Sequence, residues 1–300
     1  MLKASIDLGT NTCLLLIAEV ESGCVNMVLG DYARIIRLGE GVDKTRYLQP
    51  EAIERTLKCL DEYRKIISTA GILPGDVICV ATSQARDAEN GSEFFARVEA
   101  DLGFVFRVVS GKDEARLSFK GSLLPNMEAS NHAVVDIGGG STEFVTTNDG
   151  RSIDLGSVRF TERYLKSDPV IDKEFHICLN EIDNKLEVLV DWRNSIASDM
   201  QMLAVAGTAT TLASWHLRLR EFDAAEVEKV QLTSVDLHRM VEELKRMTVS
   251  ERRDQVGIEP KRADVLLAGA MIMWRIMEKL KFQNCNISSR GLRYGVLMDL

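Results

Sequence analysis

Proline, low-complexity sequence and long apolar runs are all scarce in this chain of 300 residues. It contains five prolines and no low-complexity tract, which argues against long disordered arms. The apolar run from Cys13 to Ala18 is too short to span a membrane, and no basic-then-apolar leader precedes it. We therefore expect a cytoplasmic protein without a membrane partner.

Motifs of several common enzyme classes are also missing. The six cysteines are scattered without a C-x-x-C pair or a cluster of cysteines and histidines, so they indicate neither a zinc site nor a disulfide framework. None of the four histidines forms an H-E-x-x-H pair, which argues against a histidine-metal hydrolase. The chain has no Walker A pattern and no G-x-G-x-x-G, so P-loop and Rossmann nucleotide sites lose their main support.

The composition is that of a globular protein, with 45% apolar and 27% charged residues. The length is enough for two domains of ordinary size. The net charge of −8 argues against a general nucleic-acid binder, although a local basic groove could still hold a polyanionic substrate. We therefore expect no nucleic-acid partner.

Two loops of the same kind are the most informative feature that is present. One runs from Asp7 to Thr12 and the other from Asp136 to Glu143, and each follows a short apolar run. Both predict a strand that turns back through glycines with an aspartate at its mouth. Glycines let backbone N–H groups approach an anion, hydroxyls add donors, and aspartates suit Mg²⁺. A single Gly-Gly-Gly turn is more often just a tight turn, but this repeat predicts a duplicated phosphate clamp in two related domains facing one cleft.

Alternating periods predict an α/β architecture. Strands are expected at 4–6, 13–20, 24–32, 77–81 and 105–109, and helices at 50–70, 93–102 and 113–123. This order is β-β-β-α-β-α-β. Pro125-Asn126 is the predicted crossing from a first domain, residues 1–124, into a second, residues 125–300. The second domain repeats the strand, loop and strand at 134–146, with helices expected at 172–198, 234–247 and 263–281. The terminal segment could return to either domain, including the first.

Polar side chains follow two further strands of the first domain. Ser83 and Arg86 follow the strand that ends at Ala81, at the carboxyl edge where open α/β sheets bind ligands. Arg86 is either a phosphate fork or a partner of Asp87. Glu114 follows the strand at 105–109. It is either an acidic decoration of the first helical turn or a base that orients water for attack on phosphorus.

A third loop of glycine and hydroxyl residues lies in the second domain. Gly207, Thr208 and Thr210 follow the apolar run 202–205. A small-residue loop that leads into a helix presents free N–H groups to an anion. A tightly packed helix start is the equally weighted alternative.

Taken in order, these motifs resemble the exopolyphosphatase and guanosine pentaphosphate phosphohydrolase (Ppx/GppA) family. The resemblance covers nearly the whole chain, with matching motifs at 6–11, 38–41, 51–55, 81–88, 110–115, 136–145, 156–159, 207–212, 262–264 and 291–293. It implies an α/β fold of two actin-like (ribonuclease H-like) domains that flank a phosphate-binding cleft. That fold belongs to the acetate kinase, sugar kinase, Hsp70 and actin superfamily.

The resemblance also implies roles for the candidate residues. Glu114 resembles the catalytic base of the family, Asp136 and Glu143 resemble its acidic partners for Mg²⁺ and water, and Asp7 also faces the metal. The implied phosphate-binding residues are Gly9, Thr10, Asn11, Thr12, Ser83, Arg86, Gly138, Gly139, Gly140, Ser141, Thr142, Gly207, Thr208 and Thr210. The implied cofactor is Mg²⁺, with K⁺ as a second candidate cation, and the implied assembly is a homodimer.

The implied activity is that of an exopolyphosphatase, in which water attacks the terminal phosphorus of inorganic polyphosphate and releases orthophosphate. The alternatives are hydrolysis of the 5′ terminal phosphate of guanosine pentaphosphate (pppGpp) and a non-catalytic sensor of polyphosphate or nucleotide. The presence of Glu114, Asp136 and Glu143 together argues against the sensor, because a binder needs no base. Gln84 stands where the family has a small residue, and we expect its bulk beside the phosphate path to restrict the substrate.

Overall fold

The chain folds into two α/β units in a computed structural model. The structure describes residues 1–125 and 127–299, and of Arg86 it describes only the backbone. The first unit comprises residues 1–121 and 291–300, and the second comprises residues 122–290. Asn126, at the predicted crossing between domains, lies outside the described residues. Within the described residues, no helix combines the length and the apolar character needed to cross a membrane.

The strands and helices are as follows. The strands are β1 Leu2–Leu8, β2 Thr12–Glu21, β3 Cys24–Ile35, β4 Ile78–Ala81, β5 Phe106–Val108, β6 His132–Ile137, β7 Thr142–Val145, β8 Gly150–Ile153, β9 Gln201–Val205, β10 Gln231–Thr233 and β11 Asn284–Ile287. The α-helices are α1 Val42–Thr45, α2 Pro50–Thr69, α3 Ser83–Asp87, α4 Gly91–Leu102, α5 Gly111–Ser122, α6 Ser157–Tyr164, α7 Asp172–Leu186, α8 Val190–Ser195, α9 Ala206–Leu217, α10 Ala224–Val227, α11 Ser234–Arg246, α12 Val249–Arg253, α13 Leu266–Leu280 and α14 Leu292–Met298.

The sheet of the first unit has the strand order β3-β2-β1-β4-β5. Strands β1, β2 and β3 form an antiparallel meander, while β4 and β5 run parallel to β1. Apolar residues alternate along β1, so that Ala4, Ile6 and Leu8 lie in the core beneath α2 and α4. The predicted order is confirmed for the strands and the long helices of the first domain, and the short helices α1 and α3 are additional to it.

The sheet of the second unit repeats this plan. Its order is β10-β11-β9-β6-β7-β8, in which β6, β7 and β8 form the meander and β9 and β11 are parallel to β6. The additional strand β10 pairs antiparallel with β11 at the edge. Two sheets built on one strand order confirm the predicted fold class of two ribonuclease H-like domains.

The long helix predicted at 172–198 is wrong, because a 3₁₀ turn at Glu187–Leu189 separates α7 from α8. Leu186, Leu189 and Trp192 are all buried in the core of the second unit. A spacing of three residues matches the three residues per turn of a 3₁₀-helix. The tighter turn therefore keeps all three side chains on the core side.

The last helix, α14, belongs to the first unit although it follows a strand of the second sheet. Tyr294 and Leu297 pack against β2, and Leu292 and Val296 pack with Leu117 of α5. Two glycines allow the backbones of α5 and α14 to approach closely. A Cβ atom on Gly121 would lie 2.2 Å from the carbonyl oxygen of Gly291, and one on Gly295 would lie 1.8 Å from that of Leu117.

Replacing Gly295 with alanine is expected to destabilise the first unit by about 1–3 kcal/mol, because the added methyl group meets backbone that no side-chain rotation can move away. Urea denaturation of the whole chain measures the change in the free energy of unfolding. Gly75→Ala is the matched control, since a Cβ atom there has nothing within 4 Å. Equal midpoints for the two variants would show that α14 does not need this close contact.

Candidate functional site

The two aspartate loops have the same backbone geometry. The N–H of Gly9 donates to the carbonyl of Thr12 at 2.9 Å, and the N–H of Gly138 donates to the carbonyl of Ser141 at 3.0 Å. A Cβ atom on either glycine would also lie close to the same carbonyl, at 3.2 Å and 3.1 Å. Corresponding atoms therefore make corresponding contacts, and the predicted duplication of the loop is confirmed at the level of the backbone.

The carbonyls of the second loop are bound by the start of α6. The N–H of Ser157 donates to the Gly138 carbonyl at 3.0 Å, and those of Val158 and Arg159 donate to the Gly139 carbonyl at 2.9 and 3.0 Å. The Arg159 guanidinium Nε donates to the Gly140 carbonyl at 2.8 Å. Because N–H and C=O of a trans peptide point in opposite directions, the amides that follow these carbonyls point away from α6. Consecutive amides turned to one side form a concavity that suits an anion.

The carbonyls of the first loop are bound in the same manner by the segment after β3. The N–H groups of Ile36 and Arg37 donate to the Asn11 carbonyl at 2.9 and 3.1 Å, and that of Gly39 donates to the Thr10 carbonyl at 2.9 Å. Each domain thus uses a segment beyond its meander to hold the carbonyl side of its aspartate loop.

Asn11 offers a buried donor in the first loop. The side chain is 7% exposed, and its Nδ2 has no hydrogen-bond partner within the described structure. An unpaired buried amide donor costs about 1–3 kcal/mol of stability. The role of Asn11 in phosphate binding stays a prediction from the resemblance.

Thr10 ties the first loop to the start of α3. Its Oγ1 lies 2.9 Å from Ser83 Oγ and donates to Gln84 Oε1 at 3.1 Å, while Gln84 Nε2 donates to the Leu8 carbonyl at 2.8 Å. Gln84 is 2% exposed. The expectation that Gln84 adds bulk beside the phosphate path is therefore wrong: both ends of its amide brace the aspartate loop from within. Arg86 lies in the same helix, and its side chain is outside the described structure.

Glu114 lies at the same edge of the first sheet as this loop. Leu8, Ala81 and Val108 are neighbours across β1, β4 and β5, so the segments that follow these strands emerge side by side. Ser110 and Asp113 cap α5, with Ser110 Oγ donating to Asp113 at 2.7 Å and accepting from the Asp113 N–H at 3.1 Å. Glu114 itself is 8% exposed. Its burial does not fit the alternative of a solvated first-turn carboxylate.

The carboxylates of Asp136 and Glu143 lie on one face of the second sheet. These residues are directly opposite each other on β6 and β7, while Val135 and Phe144 turn to the core on the other face. Side chains in such opposite positions have Cβ atoms about 4.5–5.5 Å apart. Glu143 is almost fully buried, and its Oε1 accepts a hydrogen bond from Ser152 Oγ of β8 at 2.8 Å.

The donor set of this pair fits a hard cation. No cluster of three or more His, Cys, Asp or Glu side chains that could hold a metal occurs within residues 1–125 and 127–299. Mg²⁺, however, is commonly held by one or two carboxylates together with water and substrate phosphates. Asp136 and Glu143 meet that requirement within the second domain, and Asp7 occupies the position of Asp136 in the first.

The turn at Gly207 is a tightly packed start of α9. Ala206 has a positive φ of 68°, and a Cβ atom on Gly207 would lie 1.8 Å from a guanidinium nitrogen of Arg262. The side chain of Thr208 is buried, and Thr210 Oγ1 donates to the Ala206 carbonyl at 3.1 Å. Burial lowers the pKa of Arg262 to about 10, with Glu259 acting in the opposite direction, so the guanidinium is charged at neutral pH. A cation thus lies against this helix start.

Replacing Gly156 with alanine is expected to disturb the second loop. The added Cβ atom would lie 2.3 Å from the Gly139 carbonyl oxygen, so the glycine run has to shift. We expect tripolyphosphate to bind about 10- to 100-fold more weakly, because a displacement of about 1 Å misplaces the amides. Isothermal titration calorimetry measures this affinity. If Gly156→Ala binds tripolyphosphate as tightly as the Gly75→Ala control does, the second loop does not bind phosphate.

Known proteins are similar in sequence to this chain along most of its length. The model of the Ppx/GppA phosphatase family matches residues 16–300. The bifunctional 3-dehydroquinate synthase/phosphatase of Fusobacterium nucleatum is 35% identical over 99% of this chain and 46% of its own length. Exopolyphosphatase 2 of Mycobacterium tuberculosis is 33% identical, over 99% of this chain and 98% of its own length. The guanosine-5′-triphosphate,3′-diphosphate pyrophosphatase of Pseudoalteromonas atlantica is 26% identical over 100% of this chain and 58% of its own length.

The chain therefore spans less than two thirds of the first and third of these relatives, and nearly all of the second. Among solved structures, the PPX-GPPA enzyme of Aquifex aeolicus superimposes with a TM-score of 0.81. It is 30% identical, and the match covers 100% of this chain and 99% of that one.

Proposed function

This chain belongs to the Ppx/GppA phosphatase family, and from that premise we propose that it is an exopolyphosphatase that removes the terminal phosphate of inorganic polyphosphate as orthophosphate. The observation that carries the proposal is the duplicated aspartate loop. Its carbonyls accept hydrogen bonds from α6 in the second domain and from the segment after β3 in the first, so that the amides that follow these carbonyls point away from those segments. A substrate made only of linked phosphates suits a loop of this kind, and each domain contains one. The nearly full-length match to Exopolyphosphatase 2 also favours polyphosphate.

In the proposed reaction, Glu114 accepts a proton from the attacking water as the water oxygen forms a bond to the terminal phosphorus. The bond from that phosphorus to the bridging oxygen breaks, so that orthophosphate leaves and the chain becomes one unit shorter. The position of Glu114 supports this role, because the residue is buried at the edge of the first sheet where the first aspartate loop also lies.

The loop residues have the role of binding the charged substrate. In the second domain, the amides after Gly138 and Gly139 would donate to phosphate oxygens. Donors fixed in place before the reaction stabilise charge that develops on these oxygens without a cost of reorganisation. Thr10 and Ser83 hold the first loop in this arrangement through their contacts with each other.

Asp136 and Glu143 of the second domain would hold Mg²⁺. The metal role of Asp7 in the first domain stays a prediction from the resemblance. When bound, Mg²⁺ would neutralise the negative charge of the phosphates. The pairing of two carboxylates across β6 and β7 supports this assignment, since it places two side chains with oxygen donors next to each other on one face of the sheet. Mg²⁺, the second cation K⁺ and the homodimer are predictions from the resemblance, and light scattering tests the dimer. The cytoplasmic location is a prediction from the sequence pattern alone.

Hydrolysis of pppGpp is the second candidate function. It is favoured by the similarity to the Pseudoalteromonas atlantica protein, whose name states that substrate. A nucleotide substrate would need only its 5′ phosphates in the loops. We propose the nucleotide as the second candidate because this relative is 26% identical to the chain, against 33% for Exopolyphosphatase 2.

The test is a comparison of orthophosphate release with Mg²⁺ from polyphosphates of graded length and from pppGpp, at matched concentrations of terminal phosphate. We expect faster release from polyphosphate. The dependence of the rate on polyphosphate length shows how many phosphate units the protein contacts. Faster release from pppGpp would replace the first candidate with the second. Release from neither substrate would overturn both.

A further inference from the structure

Corresponding positions on the first three strands of the two sheets differ in a way that singles out Ser152. In the first domain, Asp7 lies opposite Leu14, and Leu14 lies opposite Ala33. In the second domain, the same line across the meander is Asp136, Glu143 and Ser152. The aspartate occurs in both domains. Glutamate and serine together occupy the positions that are apolar in the first.

Ser152 occurs together with Glu143, and the fold itself does not require a polar residue at either position. The first sheet forms the same meander with Leu14 and Ala33, so the architecture needs no polar group at either position. A serine on an edge strand is also a weak strand former compared with Val, Ile or Thr. The presence of a hydroxyl at position 152 is explained if Ser152 acts on the neighbouring carboxylate of Glu143.

The contact between the two side chains is direct. Ser152 Oγ donates to Glu143 Oε1 at 2.8 Å, and the two residues face each other on β7 and β8. The carboxylate belongs to a residue that is 1% exposed, while Ser152 itself is exposed. A hydrogen bond to a charged acceptor is stronger than one between neutral groups. The hydroxyl therefore fixes one carboxylate oxygen from the solvent side.

Fixing one oxygen sets the orientation of the whole carboxylate group. A free glutamate side chain rotates about its terminal bond with broad, roughly twofold freedom. With Oε1 bound to Ser152, the plane of the carboxylate is restricted, and Oε2 takes a defined direction. Asp136 lies on the opposite side of Glu143 from Ser152, because β7 is between β6 and β8.

We propose that Ser152 is a positioning residue that orients the Glu143 carboxylate for its part in cation binding and phosphate hydrolysis. The proposal rests on the role of Glu143 put forward under the proposed function. Hydrogen-bonding partners of metal-binding carboxylates commonly change metal affinity or activity by about 10- to 100-fold when they are removed.

The experiment compares three variants of the whole chain. Ser152→Ala removes the hydroxyl, Ser152→Thr retains one, and Thr146→Ala removes a hydroxyl from the turn of the same hairpin, where it donates to the Asp149 carbonyl at 3.3 Å. Binding of Mn²⁺ as a probe is followed by electron paramagnetic resonance, and orthophosphate release from polyphosphate gives kcat and KM. Thermal unfolding of each variant reports the amount of folded protein.

We expect Ser152→Ala to weaken Mn²⁺ binding and to lower kcat by about 10-fold or more each, while KM for polyphosphate changes by less than about threefold. Ser152→Thr should restore most of both, and Thr146→Ala should leave both near wild type. A role confined to stability would instead lower the midpoint of thermal unfolding without changing Mn²⁺ affinity per folded molecule, and that result would overturn the proposal.

Failure of this inference is distinguishable from failure of the proposed function. If the wild-type chain releases no orthophosphate from polyphosphate or from pppGpp, the proposed function fails, whatever the variants do. If the wild type is active and Ser152→Ala matches Thr146→Ala in kcat and Mn²⁺ affinity, the positioning role fails and the proposed function stands.

Discussion

Replacing Glu114 with glutamine is expected to lower the rate of orthophosphate release from polyphosphate by about 100- to 10,000-fold, the usual contribution of a positioned general base. The glutamine amide has nearly the same size but cannot accept the proton of the attacking water at neutral pH. The affinity for polyphosphate should stay within about threefold, because the loop amides proposed to bind phosphate are unchanged. Stopped-flow detection of orthophosphate and calorimetric binding measure the two quantities separately.

Asp113→Asn is the matched control for this variant. Asp113 lies next to Glu114 in the same helical turn, is exposed, and completes the cap of α5 with Ser110. Its replacement removes a negative charge near the N-terminus of α5 and should cost about 0.3–1 kcal/mol of stability, while leaving the rate per folded molecule nearly unchanged. A rate for Glu114→Gln that equals this control would remove Glu114 from the role of base.

Replacing Asp136 with asparagine is expected to raise the Mg²⁺ concentration needed for half-maximal rate by about 10-fold or more. The neutral amide keeps the shape of the side chain but removes one of the two charges that lie opposite each other on β6 and β7. The rate at saturating Mg²⁺ should recover in part. Titration of the rate with Mg²⁺ gives the midpoint directly.

Asp172→Asn provides the control for general charge. Asp172 is exposed at the start of α7 in the same domain, where it forms an ion pair with Lys245 at 2.8 Å. The substitution Asp172→Asn removes the same charge from the same unit, at a position outside the sheet. If both variants shift the Mg²⁺ midpoint equally, or if neither does, Asp136 does not hold the cation.

The parts of the fold that the sequence predicts are those set by local patterns. The strands of both meanders have apolar alternation, and the glycines of the two loops follow each first strand, so the repeat is visible along the chain. The interruption after Leu186 is not visible in this way. It depends on which side chains the core accepts, and Leu189 and Trp192 reach that core only through a tighter turn.

The destination of α14 illustrates a second limit. Its apolar residues predict a buried helix, but nothing in their spacing indicates which sheet they cover. The structure assigns the helix to the first unit, where Gly295 lies against the backbone of Leu117. A contact between residues 178 positions apart in sequence depends on tertiary packing, which single-sequence patterns do not contain.

The candidate site was predictable where it follows strands, and not where it depends on contacts between elements. The loops, Glu114 and the carboxylate pair all stand directly after or on strands whose order the sequence indicates. Gln84 was misinterpreted because its side chain turns inward to the Leu8 carbonyl. Ser152 was missed because its significance comes only from the register of β7 and β8, and the contact of Arg262 with Gly207 joins residues far apart in sequence.

Hydrolysis of a polyphosphate of defined length in ¹⁸O-labelled water, with Mg²⁺ and the whole chain, tests the central claim most directly. The account predicts orthophosphate that carries one ¹⁸O atom, together with a polyphosphate that is one unit shorter, both read by mass spectrometry. The same reaction with Glu114→Gln should give almost no product in the same time. Orthophosphate without the label, cleavage within the polyphosphate instead of at its end, or no release at all would contradict the account.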